Sequence, residues 1–301
     1  MSRPTDVILK NVELLSMDSI KEYKYIPQKG EGPMPSIPQL KEVVELVKAI
    51  LFPGFFNESG RTGGTRQYHL GVHLERLFLL LEKQISRGLN FFADQINGEV
   101  ALDASELAAA FIDRLPEIKR LLCTDVKAVF DGDPAAKSYA EVIFCYPAIL
   151  SMVHYRIAHE LLKLGIPVIP RIITELAHSK TGIDIHPGAR IGEYFSIDHG
   201  TGVVIGETCE IGNHVRLYQG VTLGARSFTL DERGLPLNVP RHPILEDYVI
   251  VYSNSTILGR VTIGRETIIG GNVWLTNSVP PNSRILQQKA LTMAFTDGLG
   301  I

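Results

Sequence analysis

The chain has 301 residues, 45% hydrophobic and 21% charged, with a formal net charge of -3. This is globular composition with room for one large domain or two smaller ones, and the acidic balance argues against a general nucleic-acid binder. Cys123, Cys145 and Cys209 form no CxxC pair and no disulfide framework. No apolar run reaches the roughly 18 residues of a membrane span, and the first residues lack the apolar core of a signal peptide. A soluble cytoplasmic protein is expected, with no membrane and no nucleic-acid partner.

In chain order, the first 20 residues show no clear preference, and residues 27–38 are rich in Pro and Gly and read as a loop. Helical spacing starts near Leu40, where residues 40–51 are amphipathic and stop at Pro53-Gly54. A second helix is predicted from Tyr68 through Leu77 and Leu81 to Ile85. A third covers 104–112, and Pro116 separates it from a fourth over 117–130. Further helices are predicted at 139–143 and 148–164.

Near Ile183 the period changes. Ile185, Ile191, Ile197 and Val203 are six residues apart; after a two-residue shift, Ile205, Ile211, Leu217 and Leu223 resume the spacing. Val251, Ile257, Ile263, Ile269 and Leu275 continue it after an interruption. A small or β-branched residue follows four positions later, as at Ala189, Cys209, Val215, Ser255 and Val273. Such a period fits a parallel β-helix, each short strand and turn forming one side of a coil. Glycines after the aliphatic position, such as Gly192, Gly206, Gly212 and Gly264, are read as permitting the corner turn. Residues 225–243 read as an external loop, a place where function concentrates. The expected architecture is α+β. A helical N-terminal domain (1–181) precedes a left-handed parallel β-helix of hexapeptide repeats (182–284) and a C-terminal tail (285–301).

Several segments carry a more specific likeness: Asp184-Ile185-His186-Pro187-Gly188-Ala189, Asp198-His199-Gly200-Thr201-Gly202, Gln219-Gly220-Val221-Thr222-Leu223-Gly224, Arg241-His242-Pro243 and, in the helical half, Gly132-Asp133-Pro134-Ala135-Ala136. In these the chain resembles the serine O-acetyltransferases of the hexapeptide-repeat acyltransferase family. The left hand of the helix follows from that resemblance, since parallel crossovers are otherwise right-handed. It also implies transfer of an acetyl group from acetyl-CoA to L-serine, the first step of cysteine biosynthesis, with acetyl-CoA as co-substrate and no metal.

Deprotonating a hydroxyl as it attacks a thioester calls for a neutral imidazole. The resemblance assigns that base to His199, with Asp184 orienting its ring. It assigns the substrate ammonium to Asp133 and Asp198, and the carboxylate to Arg241 and His242, Arg suiting a two-pronged contact. A developing oxyanion finds donors either in backbone N–H groups near Gly224-Ala225 or in His242. Acetyl-CoA contacts are implied at Ala225, Ser253 and Gly271. Here the chain departs from the bacterial pattern, which has a second glycine at Ala225 and a lysine at Ile268. The resemblance further implies a homotrimer or a dimer of trimers and feedback inhibition by L-cysteine. It also implies docking of the C-terminal Ile301 into cysteine synthase.

Blander readings apply elsewhere. His178 and His214 read as surface or corner residues, His186 as structural, and His154 and His159 as helix packing. Cys209, Phe55, Phe56 and Trp274 read as packing. Two rival functions are a γ-carbonic-anhydrase-like zinc enzyme, drawing on His186, His199, His214 and His242, and a non-catalytic scaffold for cysteine synthase. Homoserine or a sugar would be the alternative acetyl acceptors.

Overall fold

The computed structural model describes residues 4–16, 32–56, 63–92 and 103–287. Ile301 and its proposed docking therefore lie outside the described residues. Seven helices occur among the described residues: α1 Pro4–Ser16, α2 Ile37–Leu51, α3 Gly63–Phe91, α4 Ala104–Gly132, α5 Tyr139–Cys145, α6 Pro147–Lys163 and α7 Ile169–Thr181. None is long and apolar enough to cross a membrane.

Local chemistry sets several helix starts. The Ser36 hydroxyl accepts from Gln39 N–H, Asp103 accepts from Ser105 and Glu106 N–H, and Ser138 accepts from Glu141 N–H. The Glu141 carboxylate in turn accepts from Lys137 N–H at 2.7 Å. Leu40, Val43 and Val47 of α2, Leu77, Leu81 and Ile85 of α3, and Phe111, Leu115, Ile118 and Leu122 of α4 form the helical core. Helix α6 is apolar along most of its length and buries Ile149, Met152, Tyr155 and Ile157.

Pro116 does not split α4, contrary to the sequence expectation. Its neighbours Leu115 and Ile118 are buried while Pro116 lies on the exposed face. Water there can reach the Ile112 carbonyl that the missing N–H leaves without a helical partner, and burial on the opposite face holds the helix together.

After Thr181 the chain winds into parallel sheets of five, four and five strands. Ile185, Ile205, Leu223, Ile257 and Leu275 form one inward ladder. Ile191, Ile211, Leu245 and Ile263 form the second, and Ile197, Leu217, Val251, Ile269 and Ile285 the third. Each fully buried aliphatic side chain of this kind contributes about 1.5–3 kcal/mol. The last strand, Arg284–Ile285, runs one residue beyond the expected end of the solenoid.

Three sequence expectations are corrected here. Val203 is not a ladder residue of the first kind: Ile185 pairs with Ile205, and the two extra residues of that coil are taken up in the corner between Asp198 and Val204. Gly192, Gly206, Gly212 and Gly264 do not supply left-handed backbone; none has positive φ. They are needed because the next coil comes too close. A Cβ on Gly192 would lie 2.8 Å from the Gly212 carbonyl oxygen, and one on Gly264 would lie 2.3 Å from Pro281 N. One line of corner turns is made instead by Tyr194, His214, Tyr248, Glu266 and Asn282, at φ between 55 and 62°. Their stacking, 4.4 Å from Tyr194 to His214 and 4.6 Å from His214 to Tyr248, offsets the backbone cost. Third, Trp274 is 70% exposed because it precedes the inward Leu275, and successive strand residues face opposite sides. Phe55 and Phe56 do pack, against Phe52 and Phe144.

Candidate active site

The coil carrying the two extra residues turns from the third sheet into the first through His199, Gly200, Thr201 and Gly202, with φ of 57° at His199, 93° at Gly200 and 78° at Gly202. The left-handed turn throws the imidazole outward; its side chain is 75% exposed. Opposite it stands the C-terminal end of α4, and between them lies a cleft of about 430 Å³. Its lining includes Asp133, Tyr146, Ser196, Asp198, His199 and Arg216.

Asp133 ends α4. One of its carboxylate oxygens accepts from Ala135 N–H at 2.8 Å and the other from the Tyr146 hydroxyl at 2.6 Å. The Tyr146 bond, aided by the Ala135 N–H, holds the Asp133 carboxyl below the usual range. The same bond pushes the Tyr146 hydroxyl up to about 12. Asp198 Oδ1 lies 3.7 Å from His199 Nε2, beyond hydrogen-bond reach. Arg216 donates to the Gly132 carbonyl at 3.1 Å. Tyr146 and Arg216 were not found from the sequence, where one is simply the residue before Pro147 and the other an outward charge before Leu217.

Asp184 opens the first strand of the first sheet. Its charge partner is Arg171, 4.0 Å away, and it clusters with Glu175 and His178. Among the described residues no hydrogen bond or ion pair joins it to His199.

Arg241 and His242 occupy a different corner, between the first and second sheets, where the external loop returns. Arg241 pairs with Glu207 at 2.5 Å. His242 is 7% exposed and packs over Gly206. Thr208 Oγ1 accepts from both Arg241 and His242 N–H, so its proton is directed to His242 Nδ1 at 2.9 Å, which also accepts Thr208 N–H at 3.1 Å. The proton of the neutral ring therefore sits on Nε2. Burial, reinforced by the Arg241 charge, lowers the His242 pKa to about 4.

The expected acetyl-CoA positions divide the same way. Ser253 and Gly271 lie one above the other at the His199 corner, where a Cβ on Gly271 would meet Ser253 O at 3.3 Å. Ala225 follows Gly224 at the Arg241 corner. Two buried side-chain atoms lack a hydrogen-bond partner among the described residues, Gln219 Oε1 at the first of these corners and Arg241 Nε at the second. His214 is engaged in its aromatic stack at the third corner, whereas His186 lies at the Arg241 corner, one coil before Glu207, and accepts from Gly188 N–H at 3.0 Å.

No family model matches the chain. The plasmid serine acetyltransferase of Synechococcus elongatus is 48% identical over 276 residues, covering 89% of this chain and 86% of that protein. The serine acetyltransferase of Bacillus subtilis is 44% identical over 167 residues, 56% of this chain and 73% of that one. Among solved structures, Entamoeba histolytica serine acetyltransferase isoform 3 in complex with cysteine superimposes with a TM-score of 0.72 at 32% identity, covering 98% of this chain and 97% of that one. Serine acetyltransferase 1 of the same organism, in complex with L-cysteine, gives 0.71 at 34% identity, covering 88% and 94%.

Proposed function

The chain belongs to the serine acetyltransferases, a family of acyltransferases, and on that premise we propose how its residues divide the work of moving an acetyl group from acetyl-CoA to L-serine. The observation that carries the reading is the cleft in which two carboxylates, Asp133 and Asp198, face an exposed imidazole, His199. The carboxylates suit an ammonium group, and the imidazole suits removal of a hydroxyl proton. As the serine oxygen attacks the thioester carbonyl, a C–O bond forms, the C–S bond breaks, and His199 passes the proton on to the departing thiolate. Asp184 is the carboxylate to orient the ring once substrate is bound, when catalytic hydrogen bonds tighten.

Arg241 and His242 are the proposed carboxylate partners, and the neutral His242 with its proton on Nε2 also suits a developing oxyanion. Of the two oxyanion donors left open by sequence, the fixed tautomer favours His242. These groups sit one corner away from His199 within the same chain. A complete site then needs the His199 corner of one copy beside the Arg241 corner of another, which a threefold arrangement of three-sided coils provides. The division of Ser253 and Gly271 from Ala225, and the orphaned polar atom at each corner, support the same homotrimer. L-cysteine, bound in the Entamoeba relatives, differs from serine in one atom and is the proposed competitor for the cleft, in keeping with a place in cysteine biosynthesis and in the cytoplasm. Cysteine synthase remains the proposed partner of the tail at Ile301.

The test follows free thiol from acetyl-CoA with L-serine, homoserine or a galactoside as acceptor, with His199→Ala alongside. Serine-dependent release that is lost in the variant is the expected result. Unchanged release in the variant would remove His199 as base, and release with another acceptor alone would overturn the substrate.

A further inference from the structure

Arg216 enters the cleft from the solenoid side. It stands one rung above the buried Ser196 in the parallel ladder of the third sheet. From there its guanidinium reaches the end of α4 and donates to the Gly132 carbonyl at 3.1 Å. The last carbonyls of a helix have no intrahelical donor, and a cation there also meets the negative end of the helix dipole. A side chain at position 132 would displace the guanidinium: a Cβ on Gly132 would fall 1.5 Å from Arg216 Nη2 and 2.5 Å from Cζ. Arg216 makes no ion pair with a carboxylate among the described residues, although Asp133 is the next residue along the chain and Asp198 lines the same cleft.

The helical half does not depend on this contact for its attachment. Asp125 and Arg156 form a buried pair that also binds Phe195 N–H and the Gly192 carbonyl, and the Tyr155 hydroxyl donates to Ala189 O at 2.7 Å. The Arg216 contact therefore acts locally, on the one peptide that carries Asp133. We infer that Arg216 is a positioning residue for substrate binding, whose bond to the Gly132 carbonyl sets the Asp133 carboxylate across the cleft from His199. The absence of a side chain at Gly132 is what admits it. This rests on the reading of Asp133 as the ammonium's partner.

The experiment measures kcat and KM for serine and for acetyl-CoA in full-length Arg216→Ala, Arg216→Lys, Gly132→Ala, the Arg216→Ala/Gly132→Ala double variant and Asp133→Asn, with thermal unfolding of each. Arg216→Ala is expected to raise the serine KM roughly three- to tenfold, the scale of one lost hydrogen bond. The kcat and the acetyl-CoA KM should stay near their starting values. Arg216→Lys, which keeps a donor and a charge, should recover part of the loss. Gly132→Ala should raise the serine KM alone yet add nothing in the Arg216→Ala background, because alanine is otherwise the better helix residue. If Asp133→Asn raises the serine KM but Arg216→Ala does not, or if the two single effects simply add, the positioning role is wrong. Loss of folding in Arg216→Ala without a KM effect in folded Gly132→Ala would make the contact structural only. An unchanged serine KM in Asp133→Asn would overturn the ammonium assignment itself, and the positioning role with it.

Discussion

The Tyr146 hydroxyl donates to Asp133 Oδ2 at 2.6 Å, joining the residue that precedes α6 to the one that ends α4. Because this bond favours the charged carboxylate, its removal raises the Asp133 pKa toward the ordinary value. Tyr146→Phe is therefore expected to raise the serine KM roughly threefold or more, with kcat near its starting value. Initial rates against serine concentration check this; an unchanged serine KM would show that the Tyr146 bond does not support ammonium binding by Asp133.

Stability should fall on mild acidification. Burial lowers the pKa of His154, His159 and His186, and of His242 to about 4. Unfolded histidine titrates near 6.5, so between those values the unfolded chain holds more protons than the folded one. The stability these neutral rings contribute is present above about pH 6.5 and is lost as pH falls toward their folded pKa values. Unfolding midpoints at pH 7, 6 and 5 should decline in order. A flat profile would mean that the rings take up protons without cost in the fold.

Gly206→Ala tests the placement of His242. The added Cβ would lie 2.0 Å from the His242 ring carbon Cδ2, and Thr208 holds the ring from the other side. Relieving the clash moves the ring, and moving it breaks its bonds to Thr208. Acetyl transfer should fall by at least about tenfold, in line with the sensitivity of catalysis to small displacements. The far-ultraviolet circular dichroism should be retained, and activity near the starting level would remove His242 from the reaction.

The pair of Asp125 and Arg156 is 0% and 4% exposed, with bonds of 2.6 and 2.8 Å. Removing one partner leaves a buried charge unmatched, at a cost of about 3–5 kcal/mol. Arg156→Met or Asp125→Ala should lower the denaturant midpoint accordingly. Replacing both together should cost less than the sum of the single changes.

The solenoid was legible because each coil must bury one aliphatic residue per side, which writes itself into the chain every six positions. The same rule made the two-residue shift visible, though not its meaning: Val203 looked like a fourth rung, while the structure spends those residues on the turn that projects His199. Glycine was read as backbone freedom, whereas at Gly192 and Gly264 the neighbouring coil is the cause, and no local pattern reports on a contact between coils. Pro116 and Trp274 depart from expectation for a related reason: propensity and residue type carry no information on which face meets solvent.

By itself the sequence determined the class of the fold, most residues of its inner ladders (Leu245 and Ile285 excepted) and the residue types with the chemistry for acetyl transfer to an amino acid. Those properties depend on spacing along the chain, and burial acts on each repeat alike. Only the tertiary structure decided that Asp133 and His199 face one cleft while Arg241 and His242 stand at another corner, and that Tyr146 and Arg216 hold the cleft's far wall. Those relations link residues 13 to 84 positions apart. They arise from how helices pack on the solenoid, which no short-range period can encode.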